Sequence, residues 1–289
     1  MFKHPQLEAL NAVIRTGSFE AAAAYLSVTP SAVSQRVKQL EERVGMILIE
    51  RSSPCRATPA AARMIKHRDQ LHLLERELSV DLGLSVDNST PVRIAVNADS
   101  LASWLLAGLA QAGGFFFDLV IDDQDHSESW LKNGEVAGAI TSRITPLQGC
   151  DCFQLGTLKY IATASPAFCQ RYFSDGINVD NFLKAPALTF NSKDRLQRDW
   201  VAKVVGKPVN IPTHYIASSH GFVDAALLGI GWGMNPTALV DQHIQKGRLI
   251  PLVADQPLET PLTWQVNRLT ARALLPVTEA ICKAAKELL

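Results

Sequence analysis

No excess of charge marks the 289-residue chain as a whole, because 28 lysines and arginines balance 28 aspartates and glutamates. That balance excludes a chain that grips polyanions along its entire length. Long apolar runs are missing too. None approaches the roughly 18–20 residues a membrane span needs, and Met1-Phe2-Lys3-His4-Pro5 leads into an amphipathic pattern without a secretory apolar segment. The expectation is a cytoplasmic protein with no membrane partner. Cysteines are few and odd in number (Cys55, Cys150, Cys152, Cys169 and Cys282), which points to reduced thiols rather than a disulfide framework. Enzyme signatures are absent: there is no Gly-x-Ser-x-Gly, no P-loop and no dinucleotide fingerprint. Cys150-x-Cys152 with His126 fits no common zinc spacing. The run Gly229-Ile230-Gly231-Trp232-Gly233 follows a helical pattern and leads into a strand, the reverse of a dinucleotide-binding turn. The expectation is therefore no enzyme, with no catalytic residue, no metal and no cofactor.

What is present is a core-forming composition, 47% apolar and 19% charged, in a length that suits about two domains. The charge is unevenly placed. Residues 1–68 carry ten basic against five acidic side chains, a net of +5, which leaves −5 on the remainder. A basic head on an acidic body is the pattern of a small nucleic-acid-binding domain joined to something else.

Leu7, Leu10, Val13 and Ile14 recur at helical spacing, which predicts a helix over about residues 3–15 ended by Gly17. Ser18 is a good N-cap for a second, alanine-rich helix through Leu26. Thr29-Pro30 then reads as N-cap plus first-turn proline of a third helix that runs to Val44 and stops at Gly45. Two short helices across a tight turn have helix-turn-helix spacing. The third helix presents Ser31, Ser34, Gln35, Arg36, Lys38 and Gln39 to solvent, a set able to read base edges and hold phosphates. Met46-Ile47-Leu48-Ile49 is expected as a strand, followed by a turn in which Arg51 and Arg56 suit a β-wing beside a phosphate backbone. From Thr58-Pro59 a long helix is expected to about Leu84. Its stripe of Met64, Leu71, Leu74, Leu78 and Leu82 suits pairing with a second copy.

The segment Ala21-Ala22-Ala23-Ala24-Tyr25-Leu26-Ser27-Val28-Thr29-Pro30-Ser31-Ala32-Val33-Ser34-Gln35-Arg36-Val37-Lys38-Gln39-Leu40-Glu41 resembles the signature of LysR-type transcriptional regulators in order, spacing and residue type. The resemblance implies a winged helix-turn-helix, a linker-helix dimer and a two-lobed, periplasmic-binding-protein-like α/β effector domain. It also implies assembly as a homodimer or homotetramer on double-stranded DNA, with RNA polymerase as a further partner if the protein activates. The corresponding domains are residues 1–58 for the DNA-binding head, 59–90 for the linker helix and hinge, and 91–289 for the effector domain. Within the last, lobe 1 takes about 91–163 and 267–289, and lobe 2 about 164–266.

In the effector half, strands expected at 92–96, 119–121 and 136–140 alternate with helices at 101–109 and around Trp130-Leu131, which argues for a parallel α/β sheet. A second series follows with strands at 160–164, 187–190, 213–216 and 231–234 and a helix at 221–228. A strand at 262–266 and a helix at 276–289 close the chain. Two crossovers are expected, near 162–166 and 264–268. Ligands in such sheets sit at strand carboxyl ends against helix N-termini, which selects Asp99 and Ser100 in Asn97-Ala98-Asp99-Ser100. Helix capping is the simpler role for the same residues. Asn97 to Leu106, with Gly134-Glu135-Val136-Ala137-Gly138-Ala139, resembles the family branch called ArgP, IciA or LysG. That branch responds to lysine and arginine and controls their export, so lysine or arginine is the expected effector. A basic amino acid needs acidic partners, so Asp123 or Asp125, beside Gln124, is expected to take its cation. Thr141, Ser142, Ser218 and Ser219 are candidate pocket walls. The competing readings are a different effector, a low-specificity architectural DNA binder, an enzyme, and a secreted solute-binding protein. The last leaves the basic head unexplained.

Overall fold

The computed structural model describes residues 2–85, 91–121 and 127–289, and the chain divides into two units, Met1–Pro91 with Leu269–Leu274, and Val92–Arg268 with Leu275–Leu289. The first unit opens with three helices, His4–Thr16, Phe19–Tyr25 and Pro30–Val44. Their boundaries follow from local chemistry. Gly17 ends the first helix in the left-handed region at φ 78°, and its missing Cβ lets Pro54 approach, since a methyl there would stand 2.9 Å from the proline Cβ. Ser18 accepts from the Ala21 N–H and Thr29 from the Ala32 N–H, so both later helices start on a side-chain cap. Leu7, Leu10, Val13, Ala22, Val33, Val37 and Leu40 bury one core, each large member of it contributing about 1.5–3 kcal/mol.

The wing is smaller than the sequence pattern predicts. Only Ile49–Glu50 pairs, antiparallel, with Arg56–Ala57. Met46 and Ile47 are exposed and outside the strand. The Glu41 carboxylate accepts the Leu48 and Ile49 N–H groups, and Thr58 donates to the Ile47 and Leu48 carbonyls, so side chains from both flanking helices hold this segment. The long helix spans Pro59–Asp81 rather than reaching Leu84. Gly83 at φ 66° turns the chain, and the Leu84 N–H returns to the Ser79 carbonyl.

This helix is fixed to the first by a buried charge pair. Arg68, 5% exposed, donates from Nε and Nη2 to the two Glu8 carboxylate oxygens, both at 2.7 Å, and from Nη1 to Asp69 at 2.8 Å. His72 Nε2 lies 2.7 Å from the same carboxylate. Counted as part of a basic surface from sequence, Arg68 is instead consumed inside the unit.

In the second unit the strand Val92–Val96 pairs in parallel with Phe117–Ile121 on one side and Gly138–Thr141 on the other, as the βα alternation predicts. The sheet then turns antiparallel. Leu258–Asn267 joins Gly138–Thr141, and the 15-residue Cys150–Ala164 joins Leu258–Asn267. The sequence pattern shows only the last five residues of Cys150–Ala164, because Cys150 to Leu158 lacks a clean alternation and Gly156 takes φ 130°. This strand pairs within the first lobe at residues 150–154 and with Gly233–Pro236 of the second at residues 160–163, so its passage falls ahead of the expected 162–166. Leu258–Asn267 passes between lobes at an irregularity between Leu262 and Thr263, ahead of the expected 264–268. Gly138 lies flat beneath the Trp264 ring, which a methyl there would strike, and Trp264 Nε1 donates to Thr278 of the closing helix Leu275–Leu288. The second lobe carries the parallel pair Ala187–Thr189 and Thr213–Tyr215 and a core of Phe182, Trp200 and Trp232, with ring centroids 5.4–6.1 Å apart. Its helices Pro166–Tyr172, Leu196–Val205 and Thr237–Gln245 go beyond the sequence expectation.

Burial raises the Glu8 carboxyl, but the hydrogen bonds from His72 and Arg68 outweigh it and hold the group at about 2, against an ordinary 4.5. A depressed carboxyl stabilises the fold above its unfolded value and loses that contribution as pH falls from about 4.5 towards 2. Glu8→Gln is therefore expected to lower the amide-exchange protection of His4–Thr16 by about 2–3 kcal/mol at neutral pH. The gap from the native chain should shrink below pH 4.5. A gap that stays constant down to pH 2.5 contradicts the charge assignment.

Candidate functional site

The first unit offers one surface. Along Pro30–Val44, Val33, Val37 and Leu40 face the core, and the remaining positions emerge on the other side. Ser31, Gln35 and Lys38 are exposed, and Ser34 and Arg36 are half-buried at its edge. Ser31 Oγ lies 3.0 Å from the capping Thr29 hydroxyl, which fixes the helix start, and Lys38 makes only a loose, exposed pair with Glu42 at 3.8 Å. Gln39 is drawn back by Gln6 at 3.2 Å. Arg51 and Arg56 are both exposed on the wing, with the Arg51 guanidinium 5.2 Å from the centre of the Phe19 ring. One exposed helix face, free of buried ion pairs and flanked by wing arginines, is a geometry for entering a DNA groove.

The second unit offers a cleft between its lobes. At the end of Val92–Val96 the Asn97 side chain accepts the Ser100 N–H and starts a helical stretch: α over Ala98–Ser100, π over Leu101–Leu105, α again over Leu106–Leu109. Asp99 sits on its first turn. One carboxylate oxygen accepts from Tyr160 Oη at 2.8 Å, and the other from Ser219 Oγ at 2.6 Å. Tyr160 belongs to the crossover strand and Ser219 to the second-lobe helix Ser219–Leu227, so one carboxylate joins both sides of the cleft. Beside it lies a cavity of about 140 Å³, bordered by Asn97, Ala98, Asp99, Phe190, Gln197, Ser219 and Asn235 among others. A water needs roughly 10–15 Å³ of such space, so the cavity has room for a molecule of amino-acid size.

The expected pocket residues divide in this geometry. Asp99 and Ser219 meet in the cleft. Ser100 is fully buried behind it, its hydroxyl without a partner among the described residues. Ser218 is an exposed cap that accepts the Gly221 N–H. Thr141, 1% exposed, accepts the Arg143 N–H and, with the half-buried Ser142, stands away from the cavity border. Asp123, Gln124 and Asp125 lie outside the described residues. Among the cleft residues that escaped sequence reasoning are Tyr160, Gln197 and Asn235, and the charged border formed by Lys193, Asp194, Arg195 and Asp199. Gln197 gave no signal in the sequence, because the helix Leu196–Val205 that turns it inward beside Trp200 and Val201 was not expected there.

Two family models match this chain. One, described as a bacterial regulatory helix-turn-helix protein of the lysR family, covers residues 4–62, and the LysR substrate binding domain covers residues 87–289. The lysine export transcriptional regulatory protein LysG of Corynebacterium glutamicum is 37% identical, across 98% of this chain and 97% of its own length. Among solved structures, ArgP from Mycobacterium tuberculosis superposes with a TM-score of 0.80 at 41% identity, covering 98% of this chain and 97% of its own. Full-length LysG from Corynebacterium glutamicum with bound effector Arg gives 0.67 at 34% identity, covering 99% of each chain.

Ser219→Ala deletes one of the two hydroxyl donors to Asp99. Its expected cost is about 1.5–3 kcal/mol, the range for a hydrogen bond to a charged group. A lowered calorimetric melting transition of the full chain registers it. A transition equal to that of the native chain contradicts the lobe-joining role of Asp99.

Proposed function

This chain belongs to the LysR family of bacterial helix-turn-helix regulators, and on that premise we propose that it is a transcriptional regulator controlled by a free basic amino acid, arginine or lysine. The observation that carries the effector reading is Asp99: a carboxylate on the border of a cavity of amino-acid size, which Lys193, Asp194, Arg195 and Asp199 also line, held in place by hydroxyls from two sides. A fixed carboxylate in a partly desolvated cleft favours a cation. The Corynebacterium relative whose structure contains arginine supports the same ligand class for this chain.

Double-stranded DNA meets the face of Pro30–Val44. Gln35 reads base edges there, Ser31, Ser34, Arg36 and Lys38 lie along the phosphates, and Arg51 and Arg56 of the wing add charge. The outer end of Pro59–Asp81 leaves Leu78 58% exposed, and Leu82 beyond it 63% exposed, an open apolar stripe for pairing with a second copy. Such a pair sets two reading helices about one DNA turn apart, roughly 34 Å. Effector domains joining in turn give a tetramer, and RNA polymerase is the further partner where the protein activates. Binding at Asp99 acts on DNA only as far as the ligand prefers one lobe arrangement over the other.

Two measurements test this. Calorimetric titration of the full chain is expected to show arginine or lysine binding, with citrulline, near-isosteric with arginine but neutral in its side chain, and the apolar norleucine silent, and Asp99→Asn is expected to lose the response while still binding DNA. A response to neutral and basic amino acids alike contradicts the charge-based site. For DNA, Lys38→Ala is expected to weaken every sequence alike and to reduce the salt slope by about 1, whereas Gln35→Ala is expected to cost about 1–3 kcal/mol at the operator alone. Equal losses for Gln35→Ala on operator and random DNA place base reading elsewhere.

A further inference from the structure

The cavity that Asp99 borders has a second charged border, formed by Arg195 and Asp199 at the start of the helix Leu196–Val205. The segment before this helix is folded so that Arg195 keeps one position. Asp194 accepts the Phe190 N–H at 2.9 Å and the Leu196 N–H at 3.0 Å, and the Asn191 side chain accepts the N–H groups of Lys193 and Asp194 at 2.7 and 3.2 Å. Arg195 stands at the N-cap position, but its guanidinium takes no part in a cap. A cation there faces the positive end of the helix dipole, and Lys193 and Arg198 add charge of the same sign on either side. The partner of Arg195 is Asp199, one turn along, with Nη2 at 3.3 Å from Oδ1 and the two side chains 75% and 55% exposed. A pair this long and this solvated contributes little, so a ligand that offers each member a counter-charge exchanges with it at small cost.

The head of an α-amino acid is the charge mirror of this pair. Its carboxylate suits the planar two-pronged guanidinium of Arg195, and its ammonium suits a carboxylate close by. Asp194 is engaged by two backbone N–H groups, so Asp199 is the acid of this segment placed to answer the ammonium. A cation without such a head brings nothing for Arg195 and is repelled by it. We propose that Arg195 and Asp199 are specificity residues that receive the effector's α-carboxylate and α-ammonium respectively, while Asp99 keeps the side-chain cation. This rests on the basic-amino-acid reading above and deepens it, because it selects a free amino acid over a bare amine or guanidine.

The test uses arginine, agmatine, which lacks the carboxylate, and 5-guanidinopentanoate, which lacks the α-ammonium, on the full-length native chain, on Arg195→Gln and on Asp199→Asn. The native chain is expected to bind arginine about 10- to 100-fold more tightly than either analogue. Arg195→Gln is expected to weaken arginine by a similar factor and bring it level with agmatine, and Asp199→Asn to bring it level with 5-guanidinopentanoate. For Arg195 the sign separates contact from field. Arginine is a net cation, so removing a distant positive charge tightens its binding, and a lost carboxylate contact weakens it. Both side chains are exposed, so the ligand-free melting temperature of each variant is expected to match that of the native chain. A lowered melting temperature with unchanged selectivity marks a residue that merely holds the fold, and overturns the assignment. A native chain that binds arginine and agmatine alike, or a variant that keeps the full native preference, overturns the head-group assignment alone. A native chain that binds neither arginine nor lysine overturns the parent reading, and the assignment falls with it.

Discussion

The Asp99 carboxylate is the constraint on which the cleft depends. Its two oxygens accept hydroxyls from Tyr160 on a crossover strand and from Ser219 on a second-lobe helix. A carboxylate in this position repels anionic ligands and stays in register only while both lobes supply their donors. It is reached from the sheet in one step, since Val92–Val96 ends at Asn97 and the Asn97 cap sets the helix that carries Asp99. The π turn at Leu101–Leu105 follows at once, an irregularity of the kind that recurs beside functional sites. The same carboxylate therefore borders the cavity and ties together the two sides of the cleft.

Much of this was legible from residues alone, for identifiable reasons. The three N-terminal helices announce themselves through caps and stops (Ser18, Thr29-Pro30, Gly17 and Gly45), whose chemistry is local and needs no tertiary partner. Asp99 and Ser219 were visible as polar residues at a strand end and a helix start. The wing and the long crossover were less legible. Glu41 and Thr58 hold residues 47–49 through bonds from flanking helices, and no pattern within the segment encodes that. Cys150–Ala164 changes its neighbours along its length, so its two faces exchange environments and the alternation blurs.

What stayed hidden are the residues whose meaning depends on burial. Arg68 reads as one more positive charge on a basic head, yet it lies inside and is matched by Glu8. Gln197 reads as a surface residue on a polar stretch, yet it faces inward beside Trp200. In both cases the deciding quantity is the loss of water around a polar group, which a sequence pattern does not record.

The Glu8–Arg68 fork has a consequence for how such a chain drifts over generations. The partners are 60 residues apart in sequence but share two hydrogen bonds at 2.7 Å, with the arginine side chain 7% and the glutamate 25% exposed. Replacing either one strands a buried charge, whereas replacing both with apolar residues of similar volume is close to neutral. The two positions are thus coupled to each other, and through the Arg68–Asp69 and Glu8–His72 contacts to positions 69 and 72 as well. Covariation between positions 8 and 68 among relatives is the historical trace such a pair leaves, and it makes the angle between the first helix and the linker helix a heritable unit distinct from the residues that touch DNA.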